Sequence, residues 1–146
     1  MKQTAAFILG AGSLLFVAAP LWAHHAFAAE FDSSKPVKFK GTVTKMEWIN
    51  PHAWIHIDVK GEDGTVTPWM IEAAAPNSLL RRGFTKNSLL AGTEILVEGY
   101  QAKDGTNRAN GSVLTLTDGR KLFVGANPGE PGAAPGAADK QGTEKQ

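Results

Sequence analysis

Between residues 53 and 60 every second side chain is apolar. Ala53, Ile55, Ile57 and Val59 alternate with Trp54, His56, Asp58 and Lys60. A period of two is the mark of a strand with one buried face, because successive side chains leave a pleated backbone on opposite sides. Turn signals close the run at both ends, Asn50-Pro51 before it and Gly61-Glu62-Asp63-Gly64 after it. A chain built around such a segment folds as sheet. The 16 Gly and 8 Pro in 146 residues, with only 20% charged, fit a turn-rich all-β domain and not a helical bundle.

The neighbouring segments extend the pattern. Val37 to Trp48 starts with apolar residues at odd positions (Val37, Phe39, Val43) and ends with them at even ones (Met46, Trp48). A phase change around Gly41 predicts a bulge or a sharp bend. Thr65 to Ala73 reads as a third strand. At Ala74-Ala75-Pro76-Asn77 the alternation stops, and Asn77 or Ser78 is placed to cap a short helix over Leu79 to Arg82, ended by Gly83. Lys86 to Gly92 reads as a loop or another helical turn. Glu94 to Tyr100 is a strand, Ala102 to Gly111 a polar loop, and Ser112 to Thr117 a strand. Asp118-Gly119 is a hairpin signal leading into Lys121 to Val124. Three strands, a short helix and then further strands is the order of an OB-fold, a small Greek-key barrel with few exposed edges. A seven-strand sandwich is the alternative, less suited to so few strand segments.

The ends read differently. Lys2, the apolar run Ala5 to Ala19 and the close Pro20-Leu21-Trp22-Ala23 have the three parts of a secretory signal peptide. The division expected is residues 1–23 as leader, 24–35 as an irregular arm, 36–124 as the β domain and 125–146 as a disordered Gly/Pro/Ala-rich tail. A leader of this kind implies a periplasmic or secreted address and a protein not held in the membrane after cleavage. An uncleaved anchor is the alternative, diluted by Gly10, Gly12 and Ser13. Cleavage after Ala23 exposes His24-His25-Ala26-Phe27, whereas cleavage after Ala28, behind Ala26-Phe27-Ala28, discards both histidines.

Several chemistries are excluded by composition. With no cysteine there is no disulfide, thiolate metal site or thiol nucleophile. Without Lys2 the chain has 14 basic and 14 acidic residues, which gives no electrostatic basis for nucleic-acid binding. The serines are scattered outside any G-x-S-x-G elbow, no carboxylate pair is joined by spacing, and Gly10 and Gly12 belong to the leader. No catalytic constellation emerges, so a non-enzymatic role is expected.

Metal chemistry would have to use the four histidines, His24, His25, His52 and His56. A free N-terminal His chelates through its α-amino nitrogen and Nδ1, and an amine pKa of ~7.7–8.0 makes deprotonation near neutral pH easy. Nitrogen donors in tetragonal array suit Cu(II). The candidate site is His24 and His25 completed by His52, in the turn after Pro51. At ~3.3 Å per residue His52 and His56 stand about 13 Å apart, so a single ion takes only one of them. An arm with no ligand is the competing view of His24-His25. The other candidate surface is aromatic, Trp48 and Trp54 with His56 and the basic pair Arg81-Arg82, suited to a periplasmic protein or small-molecule partner.

The run His24-His25-x-Phe27-x-x-x-Phe31-Asp32, then Gly41-Thr42-Val43-x-x-x-x-Trp48-x-Asn50-Pro51-His52-Ala53-Trp54-Ile55, then Trp69-x-Ile71-Glu72, resembles a family of small exported bacterial proteins classed only as a domain of unknown function. Leu80-Arg81-Arg82-Gly83, Ser88-Leu89-x-x-Gly92 and Asp118-Gly119-Arg120 are similar to its pattern too, over His24 to about Val124. Phe84 stands where the resemblance leads one to expect Trp. The resemblance implies export, no established activity, and retention of His24 in the mature chain. Three readings follow: a copper-handling protein through His24, His25 and His52; a metal-free binding module through the aromatic surface; and, ranked last, a copper oxidase. Oligomeric state is not encoded in any of these features.

Overall fold

A computed structural model describes residues 27–126 of the chain. The expected leader, the residues His24 and His25, and nearly all of the expected tail lie outside the described residues. Six strands form one sheet: β1 (Phe31–Glu47), β2 (Trp54–Lys60), β3 (Val66–Glu72), β4 (Glu94–Ala102), β5 (Arg108–Leu116) and β6 (Lys121–Phe123). Two short helices accompany them, a single turn α1 (27–30) and α2 (Pro76–Arg81). The sheet order is β3-β2-β1-β4-β5-β6, antiparallel throughout. One further pairing, the parallel match of Met70–Glu72 on β3 with Arg108–Asn110 on β5, bends five of the strands into a partial ring. The fold is thus mainly β with a partial ring through five strands, a coarser description than the expected barrel.

Inside the ring sit Val43, Ile55, Ile57, Ile71, Ile95, Val97, Ala109 and Leu114, all buried. The alternation of residues 53–60 is realised: Ile55 and Ile57 face the core while Trp54 and His56 face outward. Turning β1 from one set of neighbours to the other takes one extra residue. Val43 opposes Ile57 but Lys45 opposes His56, so Thr44 is the bulge, slightly beyond the Gly41 position expected for it. Past this point the buried side of β1 changes phase from Val43 to Met46, as the sequence pattern required.

Three boundaries differ from expectation, each for a tertiary reason. Residues 27–35, expected to be part of an irregular arm, are a helical turn followed by the start of β1. β1 starts at Phe31 because β4 supplies a partner there, Ala102, although Ser33, Ser34, Lys35 and Pro36 are exposed and show no alternation. β5 starts at Arg108 within the expected polar loop, where β3 takes up its backbone. Helix α2 starts at Pro76 with Ala75 as its cap residue and no side-chain cap. Ser78 is buried inside the helix and accepts a hydrogen bond from Arg81 Nη2 at 3.0 Å. The segment from Lys86 to Gly92 is turns, and Gly92 N–H donates to the Val43 carbonyl at 2.7 Å.

The turns share a device. Asp32, Asp63, Asp104 and Asp118 each accept, through the carboxylate, the backbone N–H two residues on, from Ser34, Thr65, Thr106 and Arg120. These bonds hold all four carboxyls below their usual range. Side-chain hydroxyls of Ser34, Thr65 and Thr106 are the main cause at the first three, and the Arg120 backbone N–H at Asp118. A carboxyl depressed in the folded state stabilises fully above its ordinary pKa near 3.8 and loses that contribution as pH falls through the lowered value. Urea midpoints recorded between about pH 2 and pH 6 should therefore stay flat down to about pH 4 and then drop. Asp63→Asn should make the acid limb shallower, and an unchanged limb would remove Asp63 from the account.

Candidate functional site

The register places one outward-facing row around the ring. Glu47 on β1 opposes Trp54 on β2, Trp54 opposes Glu72 on β3, Glu72 lies beside Asn110 on β5, and Asn110 opposes Tyr100 on β4. The neighbouring row, Ile55–Ile71–Ala109, points into the core, so this one points out. Two polar members of it are nevertheless buried, Glu72 at 4% and Asn110 at 4% exposure. Buried polar side chains require partners. For Glu72 the partner is His52, whose Nδ1 meets the Glu72 carboxylate oxygen Oε1. His52 lies in the turn between β1 and β2, ahead of Ala53, which exchanges backbone hydrogen bonds with Ala73 and Ala74 at 2.8 and 3.3 Å. That exchange clamps the turn to the end of β3 and holds His52 over Glu72.

At the other end of the row stands an aromatic cluster separate from the main core. Phe27 and Phe31 are both 2% exposed and pack with Ala102 and Tyr100. The Phe27 ring meets Phe31 at 5.8 Å and the edge of Tyr100 at 5.8 Å, with planes at 88°. Two hydrogen bonds from Lys103 hold α1 in place: its backbone N–H donates to the Glu30 carbonyl at 2.9 Å, and its side-chain Nζ donates to the Ala28 carbonyl. Glu30 also lies 3.9 Å from Arg108 Nη1. The start of the described chain is thus packed on the same outward face that carries Glu72 and His52.

The other sequence candidates are placed as follows. Trp48 stacks on Phe84 at 6.2 Å and 13°, and both belong to the main core or its margin. Phe84 therefore has an aromatic role, in packing. Trp54 occupies the outward row, half-buried. His56 stands one row over, its Nε2 3.6 Å from Glu47 Oε1 and, among the described residues, without a hydrogen bond. Glu47 also meets Lys45, whose hydrogen bond is the main cause holding its carboxyl below the usual range. Arg82 Nη1 donates to the Phe123 and Gly125 carbonyls at 3.2 and 2.5 Å, fastening the exit of β6 to α2, while Arg81 bonds Ser78. Trp48 thus lies at the ring margin, Trp54 and His56 on the outer face of β2, and Arg81 and Arg82 at the end of α2.

Among the described residues no group of three or more His, Asp or Glu is arranged to hold a metal ion. A pair is present, His52 with Glu72, and the remaining predicted ligands precede residue 27. Asn110 is not among the sequence candidates, and Glu72 enters there only as the end of the Trp69-x-Ile71-Glu72 stretch, with no role attached. A carboxylate ending a strand whose other face is apolar reads as solvated, and only the pairing of β3 with β5 shows it to be buried. Among the described residues, no helix is long and apolar enough to cross a membrane.

No curated protein and no solved structure matches the chain. A family model does, over residues 12–112, which takes in everything from the apolar N-terminal run to the middle of β5 and so includes Phe27, His52, Glu72 and Asn110. That model is described as a family of unknown function (DUF6152), and the chain belongs to it.

Proposed function

We propose that the chain is exported, loses residues 1–23 and serves as a non-enzymatic copper-handling protein. Its Cu(II) ligands are then the α-amine and Nδ1 of His24, an imidazole nitrogen of His25, and His52. The observation that carries the reading is that Phe27 and Phe31 are packed against Tyr100, on the outward row that also carries the buried Glu72, the partner of His52. From Tyr100 across Asn110 to Glu72 is two strand spacings, about 10 Å. At ~3.6 Å per residue the Cα of His25 lies within about 7 Å of that of Phe27, and His24 within about 11 Å. Two or three extended residues are thus long enough to cover a span of that size.

The same cluster favours cleavage after Ala23. Cleavage after Ala28 would remove Phe27 as well as both histidines, and Phe27 is among the most deeply buried side chains. In the finer fold reading that accompanies this proposal, the ring is an OB-like Greek-key barrel. The β1-β2-β3-β5-β4 circuit and the short helix between β3 and β4 support it.

Intact mass of the exported protein followed by Cu(II) titration with electron paramagnetic resonance tests the proposal. A first residue of His24, one copper per chain and nitrogen hyperfine structure are expected. Acetylating the α-amine of His24 should weaken binding by about tenfold or more, because the amine–imidazole chelate is lost while both imidazoles remain. A mature chain beginning at Ala29, or equal affinity in the acetylated chain, would overturn it. The alternative, a metal-free partner surface made by Trp48, Trp54, His56, Arg81 and Arg82, predicts that Trp54→Ala abolishes partner binding while His24→Ala and His25→Ala leave it intact. It draws support from the outward placing of Trp54 and His56, but the assignment of Arg82 to the β6 exit weakens it.

A further inference from the structure

We propose that one end of the ring docks reversibly on an anionic phospholipid surface, through aliphatic side chains that α2 and the loop after it hold outward. The proposal goes beyond the copper reading and is independent of it. Leu79 on α2, with Phe84 and Leu89 in the loop, is buried in the main core, and Trp48 packs against that core and stacks on Phe84. Three of these anchors have an exposed aliphatic neighbour in the sequence. Leu80 follows Leu79, Leu90 follows Leu89 and Ile49 follows Trp48, at 49%, 64% and 50% exposure. Because the inward positions are filled, the outer side chains have no core left to enter. Val66 and Phe123, the other two large apolar side chains exposed among the described residues, lie at the start of β3 and on β6.

The backbone of this cap is pinned. Phe84 N–H donates to the Leu79 carbonyl at 3.0 Å, Thr85 N–H to Ser88 Oγ at 2.8 Å and Thr93 N–H to the Leu90 carbonyl at 3.1 Å. Leu80 and Leu90 are therefore presented by a fixed surface and not frayed out of the core. Charge selects the occupant. The whole chain is nearly balanced, with 15 basic and 14 acidic residues, yet residues 48–53 and 73–93 contain no Asp or Glu and three cations, Arg81, Arg82 and Lys86. Arg81 and Arg82 are engaged with Ser78 and with the Phe123 and Gly125 carbonyls, while Lys86 stands exposed in the loop that leads to Leu90. Separate aliphatic tips, with cations among them and no acid, suit a bilayer interface, where apolar side chains enter between headgroups and cations meet phosphates. Such an interface asks for no matching shape, which a protein partner would.

Flotation of residues 24–146 with lipid vesicles tests this. That chain contains every described element and lacks the apolar N-terminal run, which would bind lipid by itself. Vesicles of phosphatidylglycerol and phosphatidylcholine in equal parts should carry the protein at low salt, and vesicles of phosphatidylcholine alone should carry far less. Leu80→Gln combined with Leu90→Gln should weaken binding by about tenfold or more, and Lys86→Glu by about fivefold. Val66→Gln, at the far end of β3 and about 20 Å from Glu72, should leave binding unchanged. The proposal is overturned by no binding to the mixed vesicles, by equal binding to neutral ones, or by full binding of the leucine double variant or of Lys86→Glu. An equal loss in Val66→Gln overturns it too, since adsorption is then not confined to the cap. A dimer seen by ultracentrifugation without vesicles, and dissociated by the leucine double variant, also overturns it, because a second copy then covers the cap. Should the double variant not fold, Lys86→Glu and the comparison with neutral vesicles decide.

Discussion

Gly99→Ala is expected to cost about 3 kcal/mol or more, enough to bring a domain of ordinary stability near its unfolding threshold. The cause is local and geometric. Gly99 on β4 faces Gly111 on β5 where the ladder register shifts, and Ser112 is the extra residue on β5. A Cβ at Gly99 would lie 2.1 Å from the Asn110 carbonyl oxygen, 3.0 Å from its carbon and 3.2 Å from the Gly111 Cα. All three are backbone atoms of the neighbouring strand, so no side-chain rotation relieves the overlap. The strands must separate, and with them Asn110, which links β5 to Glu72. Urea unfolding followed by tryptophan fluorescence should show the loss. Gly64→Asn is a suitable control: Gly64 has φ of 82° with open space around its Cβ position, and Asn accepts that conformation at small cost. A shift below about 1 kcal/mol for Gly99→Ala would mean that β4 and β5 are not packed as closely as described.

Phe27→Ala should lower stability by about 3 kcal/mol and Cu(II) affinity together. The ring is 2% exposed among Phe31, Tyr100 and Ala102, and its removal takes away the member of that cluster nearest the chain's amino end. If the aromatic cluster guides the amino terminus to His52, both readouts fall in Phe27→Ala and both are largely retained in Phe27→Leu, which keeps the apolar bulk. A stability change under about 0.5 kcal/mol would show that the residues before β1 frays open independently of the sheet. Loss of stability with unchanged copper affinity would separate the anchor from the proposed site.

Sequence alone revealed those parts of the fold that depend on local chemistry. The β2 face is read from Ile55 and Ile57, the β5–β6 hairpin from Asp118-Gly119, where Gly119 has φ of 86°, and the bend of β1 from its changing apolar phase. What sequence did not reveal depends on partners distant along the chain. Ser33-Ser34-Lys35-Pro36 has the composition of a loop and lies within β1 because β4 pairs with Phe31 and Pro36 on either side of an irregularity there. Arg108 to Gly111 becomes strand through β3 and β4. The candidate site divides in the same way. His52 stands out by residue type and by its place after Pro51. Glu72 looks like a solvated strand carboxylate until the parallel β3–β5 match brings Asn110 alongside and the β1–β2 turn sets His52 over it. Asn77 and Ser78 mislead in the opposite sense: both are good caps in isolation, but Pro76 fits the first helical turn and moves the start of α2 ahead of them.

The length of β1 has a consequence for the order of assembly. Its second half pairs with β2, only a short loop away, while among the described residues its first half pairs only with β4, whose residues come from 94–102. A growing polypeptide can therefore form the β1–β2 corner early, yet Val37 to Thr42 stays a bare edge until more than half of the whole sequence has been made. The first strand to be made is among the last to be completed. Over that interval the exposed charges of Lys38 and Lys40, spaced along the unpaired edge, oppose sticking between one unfinished chain and the next.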